Sequence, residues 1–185
     1  MMKKISMDEL GRVSPDKFKE LKKFPLVIVL DNIRSMMNVG SVFRTADAFR
    51  IEKILLCGIT ACPPHKEIHK TALGATESVE WQYFDDTIDA VKALRNENYQ
   101  VFALEQTTKS QSLKDFRPGK DIKYALVFGN EVKGVQDKVL QQCHGSIEIP
   151  QFGTKHSFNI SVTVGITLWD FFSKSGQFNH LNQIG

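Results

Sequence analysis

The stretch "IPQFGTKHSFNISVTVGITLWDFF" (149–172) decides how this chain is read, because no single rule parses it. It opens like a strand ending in proline and then passes through Gly153, Ser157 and Asn159. Ile160, Val162, Val164, Ile166 and Leu168 follow in strict alternation, separated by Ser161, Thr163, Gly165 and Thr167. Period-two alternation of β-branched residues argues for a half-buried strand. Against this, no turn signal arrives before Ser175–Gly176, and Trp169–Phe172 closes the run as a helix would. The segment therefore joins polar side chains in a loop to a wall of small residues, and the rest of the chain has to say why.

Working outward, 185 residues suit one domain with a sizeable core, and 42% hydrophobic with 24% charged residues is an ordinary soluble composition. No apolar run reaches the roughly 18 residues of a membrane span. The start, "MMKKISMDELGRVSPDKFKELKKFP", has no apolar h-region, so no signal peptide is expected. Cys57, Cys62 and Cys143 are an odd, sparse set that fits free thiols in a reducing compartment. The expected location is cytoplasmic.

Residues 1–23 hold seven basic side chains (Lys3, Lys4, Arg12, Lys17, Lys19, Lys22, Lys23) against Asp8, Glu9, Asp16 and Glu20, which accounts for the whole net charge of +3. Such an arm attracts a phosphate backbone, or is simply a solvated helix with ion pairs.

From Phe24 onward, short apolar runs alternate with amphipathic ones. "LVIVLD" (26–31), "KILLCG" (53–58), "VEWQYF" (79–84), "YQVFALE" (99–105), "KYALVFG" (123–129) and "GSIEIP" (145–150) read as strands. "NVGSVFRTADAFR" (38–50), "DTIDAVKALRNEN" (86–98) and "VKGVQDKVLQQC" (132–143) read as helices, and 59–78 reads as a loop broken by Pro63–Pro64. Strand–helix alternation with continuous apolar strands predicts an α/β domain, its mostly parallel sheet covered by helices on both faces. The expected layout is an arm at 1–23, one domain at 24–175 and a tail at 176–185. Open parallel sheets bind ligands beyond the carboxyl ends of their strands. The candidate site is thus Asp31–Asn38, Glu105–Thr108, Gly129–Gly134 and Gln151–Asn159.

Absent motifs narrow the chemistry. There is no G-x-G-x-x-G after the first strand, no P-loop and no G-x-S-x-G elbow. Cys62, His65 and His69 have metal-like spacing, but two prolines interrupt them and no fourth ligand is evident, so no metal is expected.

Two further stretches carry candidate groups. In "DNIRSMMNVGSVFRTADAF", Asn38 stands where an N-cap belongs, and Gly40 allows close backbone approach. Arg44 lies on the polar flank with Ser41 and Asp47. It either pairs with Asp47 at i,i+3 or points over the strand ends toward a phosphate or hydroxyl. In "LVFGNEVKGV", Glu131 follows a buried strand and Gly129, with Gly134 permitting a tight turn.

Taken together the three stretches resemble the SpoU class of RNA 2′-O-ribose methyltransferases, within the SPOUT superfamily. Asn38, Gly40, Arg44, Thr45 and Ala46 match its first motif, and Gly129, Glu131 and Gly134 its second. Ile149, Pro150, Gly153, Ser157, Asn159, Ile160, Ser161 and Val162 match its third, with Phe158 where leucine is usual. "HKTALGA" (69–75) is similar to the family's loop near the RNA, and tRNA methyltransferases of the TrmH type look closest. The resemblance implies a C-terminal deep trefoil knot, an exception to the rule against knots. It further implies S-adenosyl-L-methionine bound near Leu104, Gly129, Ile149, Ser157 and Phe158, and a homodimer. Arg44 is implied to activate the ribose 2′-hydroxyl, as base or as electrostatic partner, with Asn38, Glu131, Ser157 and Asn159 orienting it. Lys70, Lys133 and Lys155 are expected at the mouth. The RNA is expected to be tRNA, with a D-loop guanosine favoured over a wobble nucleotide or rRNA. A non-catalytic RNA-binding protein is the rival reading. On this resemblance, residues from 160 onward form a helix after a loop, buried on most sides, and not a strand.

Overall fold

The computed structural model describes residues 2–6, 9, 13–155 and 157–176. The expected tail therefore lies almost wholly outside the described residues, as do Asp8 and Arg12 of the arm. The elements run α1 (Pro15–Glu20), β1 (Phe24–Asp31), α2 (Met36–Ala48), β2 (Ile51–Cys57), α3 (Lys66–Ala72), α4 (Ala75–Ser78) and β3 (Glu80–Phe84). They continue α5 (Thr87–Asn96), β4 (Gln100–Leu104), β5 (Gln111–Ser112), β6 (Tyr124–Phe128), α6 (Asp137–Leu140), β7 (Gly145–Glu148) and α7 (Ile160–Lys174).

The strands form one seven-stranded sheet in the order β3-β2-β1-β6-β4-β7-β5, and every strand pairing is parallel. β1 is an interior strand, between β2 and β6, and its continuous apolar run is explained by burial on both faces. Leu26, Ile28 and Leu30 join a core with Val39, Val42 and Phe43 of α2 and Val164, Leu168 and Phe171 of α7. Val27 and Val29 join a second core with Ala90, Val91 and Leu94 of α5 and Val139 of α6. Each fully buried aliphatic side chain there contributes about 1.5–3 kcal/mol relative to exposure.

The segment at 160–174 is a helix, as the resemblance implies. Asn159 caps it, its Oδ1 accepting from the Ser161 amide at 2.8 Å and the Ser161 hydroxyl at 2.7 Å. Its buried residues, Ile160, Val164, Thr167, Leu168 and Phe171, have helical spacing. Burial on most sides does not hold within the chain. Val162, Ile166 and Trp169 are exposed at 47%, 37% and 57%. The alternation arises because both the packed face and the exposed face are apolar.

Other boundaries differ from the sequence reading for local reasons. α2 begins at Met36 because Ser35 caps it, Oγ accepting from the Asn38 amide at 3.3 Å; Asn38 is not the N-cap but sits in the first turn. The helix expected at 132–143 shrinks to α6. Ahead of it, Asn130 Oδ1 accepts from the Val132 and Lys133 amides at 3.0 Å each, holding 130–134 in a turn. The expected loop at 59–78 contains α3 and α4, anchored by buried Ile68, Ala72 and Ala75. β5 is a two-residue edge strand with too little pattern to be read. In the arm, Phe18 of α1 is buried under the Lys23 ammonium, and the described arm residues form no ion pair.

Candidate active site

The site grows from the carboxyl end of β1. Asp31 is fully buried and accepts from Asn32 Nδ2 (2.8 Å), Thr87 Oγ1 (2.6 Å), the Gln136 amide (3.1 Å) and Gln136 Nε2 (2.7 Å). A buried carboxylate is tolerable only with such saturation. The effect is to tie the loop after β6 to the end of β1. Asn130 adds a second tie, donating from Nδ2 to the Asn32 carbonyl at 2.7 Å.

Within that loop the backbone is compressed. A Cβ on Gly129 would lie 2.1 Å from the Val135 nitrogen, so no side chain fits. Gly134 has φ +67°, and a Cβ there would lie 2.3 Å from Glu105 Oε2. Glu105, at the end of β4, accepts from the Val135 amide at 2.9 Å and the Gln106 amide at 3.1 Å.

Glu131 reaches from this loop to the start of α2. Its two carboxylate oxygens accept from the backbone amides of Arg34 and Ser35, each at 3.1 Å. Partial burial raises its pKa, but hydrogen bonds from its own backbone, from Arg34 and Ser35, and from the Asn38 side chain outweigh this and hold it below the usual carboxylate value. Asn38 Oδ1 in turn accepts from Asn159 Nδ2 at 3.2 Å. One amide thus couples the loop after β6, the first turn of α2 and the cap of α7. Asn38 can do this because Ser35 has taken the capping task.

Beside this triad lies a cleft of about 390 Å³ between the loops after β4, β6 and β7. Leu104, Gly129, Ile149, Ser157 and Phe158, the residues expected around a cofactor, all line it, as do Glu131 and Lys133. Glu105 and Asn130, which fall in the candidate loops Glu105–Thr108 and Gly129–Gly134, also line it, as does Thr163, which the sequence reading did not single out. For Glu105 a signal existed, since it stands first after a parallel strand, where ligands are expected.

Arg44 is placed elsewhere. It is exposed, does not line the cleft and has no ion pair among the described residues. Six residues past Asn38 on the same helix, it stands about 9 Å along the axis and about 240° around it. The expected alternative, a surface pair with Asp47, is not formed either; Asp47 accepts from the Ser78 hydroxyl at 2.5 Å. The structure therefore joins Asn38, Glu131 and Asn159, sets Ser157 on the cleft wall and leaves Arg44 apart. Lys70 and Lys155 are exposed outside the cleft. Among the described residues no group of His, Cys, Asp or Glu is placed to hold a metal, and no helix is long and apolar enough to cross a membrane. His65 Nδ1 instead accepts from the Glu67 amide as the cap of α3, and the three cysteines are free thiols.

Known proteins resemble this chain in sequence and in fold. The chain is 27% identical over 153 residues to the 23S rRNA (guanosine-2'-O-)-methyltransferase RlmB of Neisseria meningitidis, covering 83% of this chain and 60% of that protein. It is 26% identical over 157 residues to a putative TrmH family tRNA/rRNA methyltransferase of Staphylococcus aureus, covering 84% and 62%. It spans between 60% and 64% of the length of the curated relatives it matches. Among solved structures, the AdoMet-bound rRNA methyltransferase from Sinorhizobium meliloti superposes with TM-score 0.74 at 26% identity, over 86% of this chain and 60% of that one. A structure solved for the 2-OH methylation of C/U34 on tRNA superposes with TM-score 0.72 at 25% identity, over 82% and 97%. Residues 25–169, from β1 into α7, match the model of the SpoU rRNA Methylase family, and the chain belongs to that family.

Proposed function

We propose that this protein transfers a methyl group from S-adenosyl-L-methionine to a ribose 2′-hydroxyl of RNA. The observation that carries the reading is the cleft at the ends of β4, β6 and β7, set directly against the Asn38–Glu131–Asn159 triad. The cofactor fits its chemistry. Leu104, Phe128, Ile147, Ile149 and Phe158 offer apolar walls to an adenosine, and Gly129 brings bare backbone to the surface. The volume lies within the ~300–1,000 Å³ of small-molecule sites. When bound, the cofactor supplies an electrophilic methyl on a positive sulfonium, and the 2′-oxygen displaces the neutral thioether.

The chain's own work is positioning. Glu131 fixes the start of α2, and Asn159 fixes the start of α7, so both walls of the reaction space are held by Asn38. Ser157 is exposed on the cleft wall, in a place to contact the ribose. Arg44 offers its guanidinium to the developing 2′-alkoxide as the hydroxyl proton leaves to solvent or to a phosphate of the RNA.

Because Arg44 faces away from its own cleft, this reading has it serve the cleft of a second copy. The exposed apolar stripe of Val162, Ile166 and Trp169 supports a homodimer, and Gly165 beside it has nothing within 4 Å of its would-be Cβ. The trefoil knot belongs to the same reading. It is supported by β6 lying between β1 and β4 and by the tie from Asp31 to Gln136, 105 residues on. The domain at 24–175 is then the methyltransferase unit, with the arm as an RNA contact. We favour tRNA, since the chain covers 97% of the neighbour solved for tRNA methylation.

The test is incubation with labelled S-adenosylmethionine and separate pools of unmodified tRNA and rRNA, followed by digestion to nucleosides. Label in a 2′-O-methyl nucleoside is expected. Label in a methylated base, or in neither pool despite cofactor binding, contradicts the reading.

A further inference from the structure

A second cavity, of about 550 Å³, lies away from the cleft, between the segment before α3, α3 itself, α4 and β3. Pro63, Pro64 and the indole of Trp81 line it, with Lys66, His69 and Glu77 supplying the polar groups. Trp81 is only partly buried, and it makes no aromatic contact among the described residues. Lys66 and His69 are exposed and form no ion pair there.

Its position links it to the proposed chemistry. α3 starts at the cavity, and near its other end Thr71 Oγ1 donates to the Met37 carbonyl at 2.9 Å, one residue before Asn38. Gly40 lets the two helices meet, since a Cβ there would lie 2.3 Å from the Ile68 carbonyl. Seven helical residues span about 10 Å, so the cavity lies about that far from the start of α2. α4, whose Thr76 and Glu77 line the cavity, is bonded through Ser78 to Asp47, and Arg44 lies one turn before Asp47. α1, with exposed Lys17 and Lys19, packs against α4. The cavity, the basic arm and Arg44 therefore share one flank of the molecule.

From this we infer that the cavity is an RNA subsite, taking an unpaired nucleobase near the methylated nucleotide, with the base on the Trp81 indole and its phosphate on Lys66. The inference rests on the RNA methyltransferase reading. An aromatic and proline-lined slot rimmed by cations matches a base with its phosphate: stacking holds any base, and cations hold the backbone. A peptide would need paired apolar anchors, whereas Lys66, His69 and Glu77 rim this slot.

The experiment uses the full chain, an unmodified tRNA transcript and GMP, reading tryptophan emission, RNA binding and methyl transfer. Trp81→Leu is expected to raise the KM for RNA about tenfold or more, with kcat at saturating RNA and cofactor affinity unchanged. Trp81→Phe keeps a ring and restores most of the loss. Lys66→Ala, at an exposed position, is expected to raise KM severalfold and to flatten its salt dependence. RNA quenches the wild-type emission but not the Trp81→Phe residual. Unchanged KM and unchanged quenching across these variants, with transfer intact, overturn the subsite and leave the methyltransferase reading standing. Trp81-dependent quenching without transfer to any RNA upholds the subsite and overturns the enzyme. Quenching by GMP alone, with RNA affinity indifferent to Trp81, assigns the cavity to a free nucleotide and overturns the inference.

Discussion

Asn159 Nδ2 donates to Asn38 Oδ1 at 3.2 Å, across 121 residues of sequence, and Asn38 bonds Glu131 from its other side. This contact joins the cap of the last helix to the first turn of α2. Asn38→Ala is expected to lower methyl transfer by about 10–100-fold through lost positioning, while costing about 1 kcal/mol or less of stability, since the bonds are exposed. Steady-state kinetics beside urea unfolding check both halves.

Glu131 carries a sign that can be measured. Its folded pKa is depressed, so its contribution is present above 4.5, the ordinary carboxylate value, and is lost as pH falls through the lower folded value. Transfer is therefore expected to be insensitive to Glu131 ionisation at neutral pH and to fall only in acid. Glu131→Gln removes that acid limb and loosens the start of α2, which a pH–rate profile and amide exchange at Arg34 and Ser35 will show.

Gly129 and Gly165 are expected to respond oppositely to alanine. At Gly129 the new methyl meets the Val135 nitrogen, so the loop has to move. The expected cost is about 1–3 kcal/mol, with loss of cofactor affinity by calorimetry. At Gly165 the methyl meets nothing and the helix gains about 0.5–1 kcal/mol. If α7 is the dimer face, sedimentation will nevertheless show weaker self-association.

Asp31 is expected to be the costliest polar position. Asp31→Asn puts an NH2 donor in place of one carboxylate oxygen, against either the Gln136 amide at Oδ2 or the Thr87, Asn32 and Gln136 side chains at Oδ1, leaving buried groups unpaired, for about 2–4 kcal/mol. The same change frees the 130–136 loop, so cofactor affinity falls together with the urea midpoint.

Burial pushes the Cys57 and Cys143 thiols up to about 12. Both are expected to resist a thiol reagent at neutral pH in the folded protein, with Cys62 the first to label. Mass spectrometry of the labelled chain gives the order.

The strands were legible because β1 and β6 are buried on both faces and read as continuous apolar runs. Helix α7 was legible only through its motif, because Val162, Ile166 and Trp169 extend apolarity to the face turned away from the core. α3 was hidden by Pro63–Pro64 before it and Gly74 after it, which punctuate a seven-residue helix as they would a loop. Asn38 was read as a cap from its place before the helical run; the structure puts Ser35 in that role and Asn38 between Glu131 and Asn159. Arg44 shows the limit of spacing arguments. Six residues place it on the wrong side of α2 for its own cleft, a fact invisible until the loops around Glu131 are in place.

The most direct measurement is methyl transfer to unmodified tRNA by Arg44→Ala, with cofactor affinity measured on the same sample. The account predicts 2′-O-methylation by the natural chain, its loss in the variant and an unchanged Kd for S-adenosylmethionine, because Arg44 does not line its own cleft. Transfer persisting at more than about a tenth of the natural rate, which is less than 1.4 kcal/mol of transition-state stabilisation, would contradict the role given to Arg44 and with it the proposed chemistry.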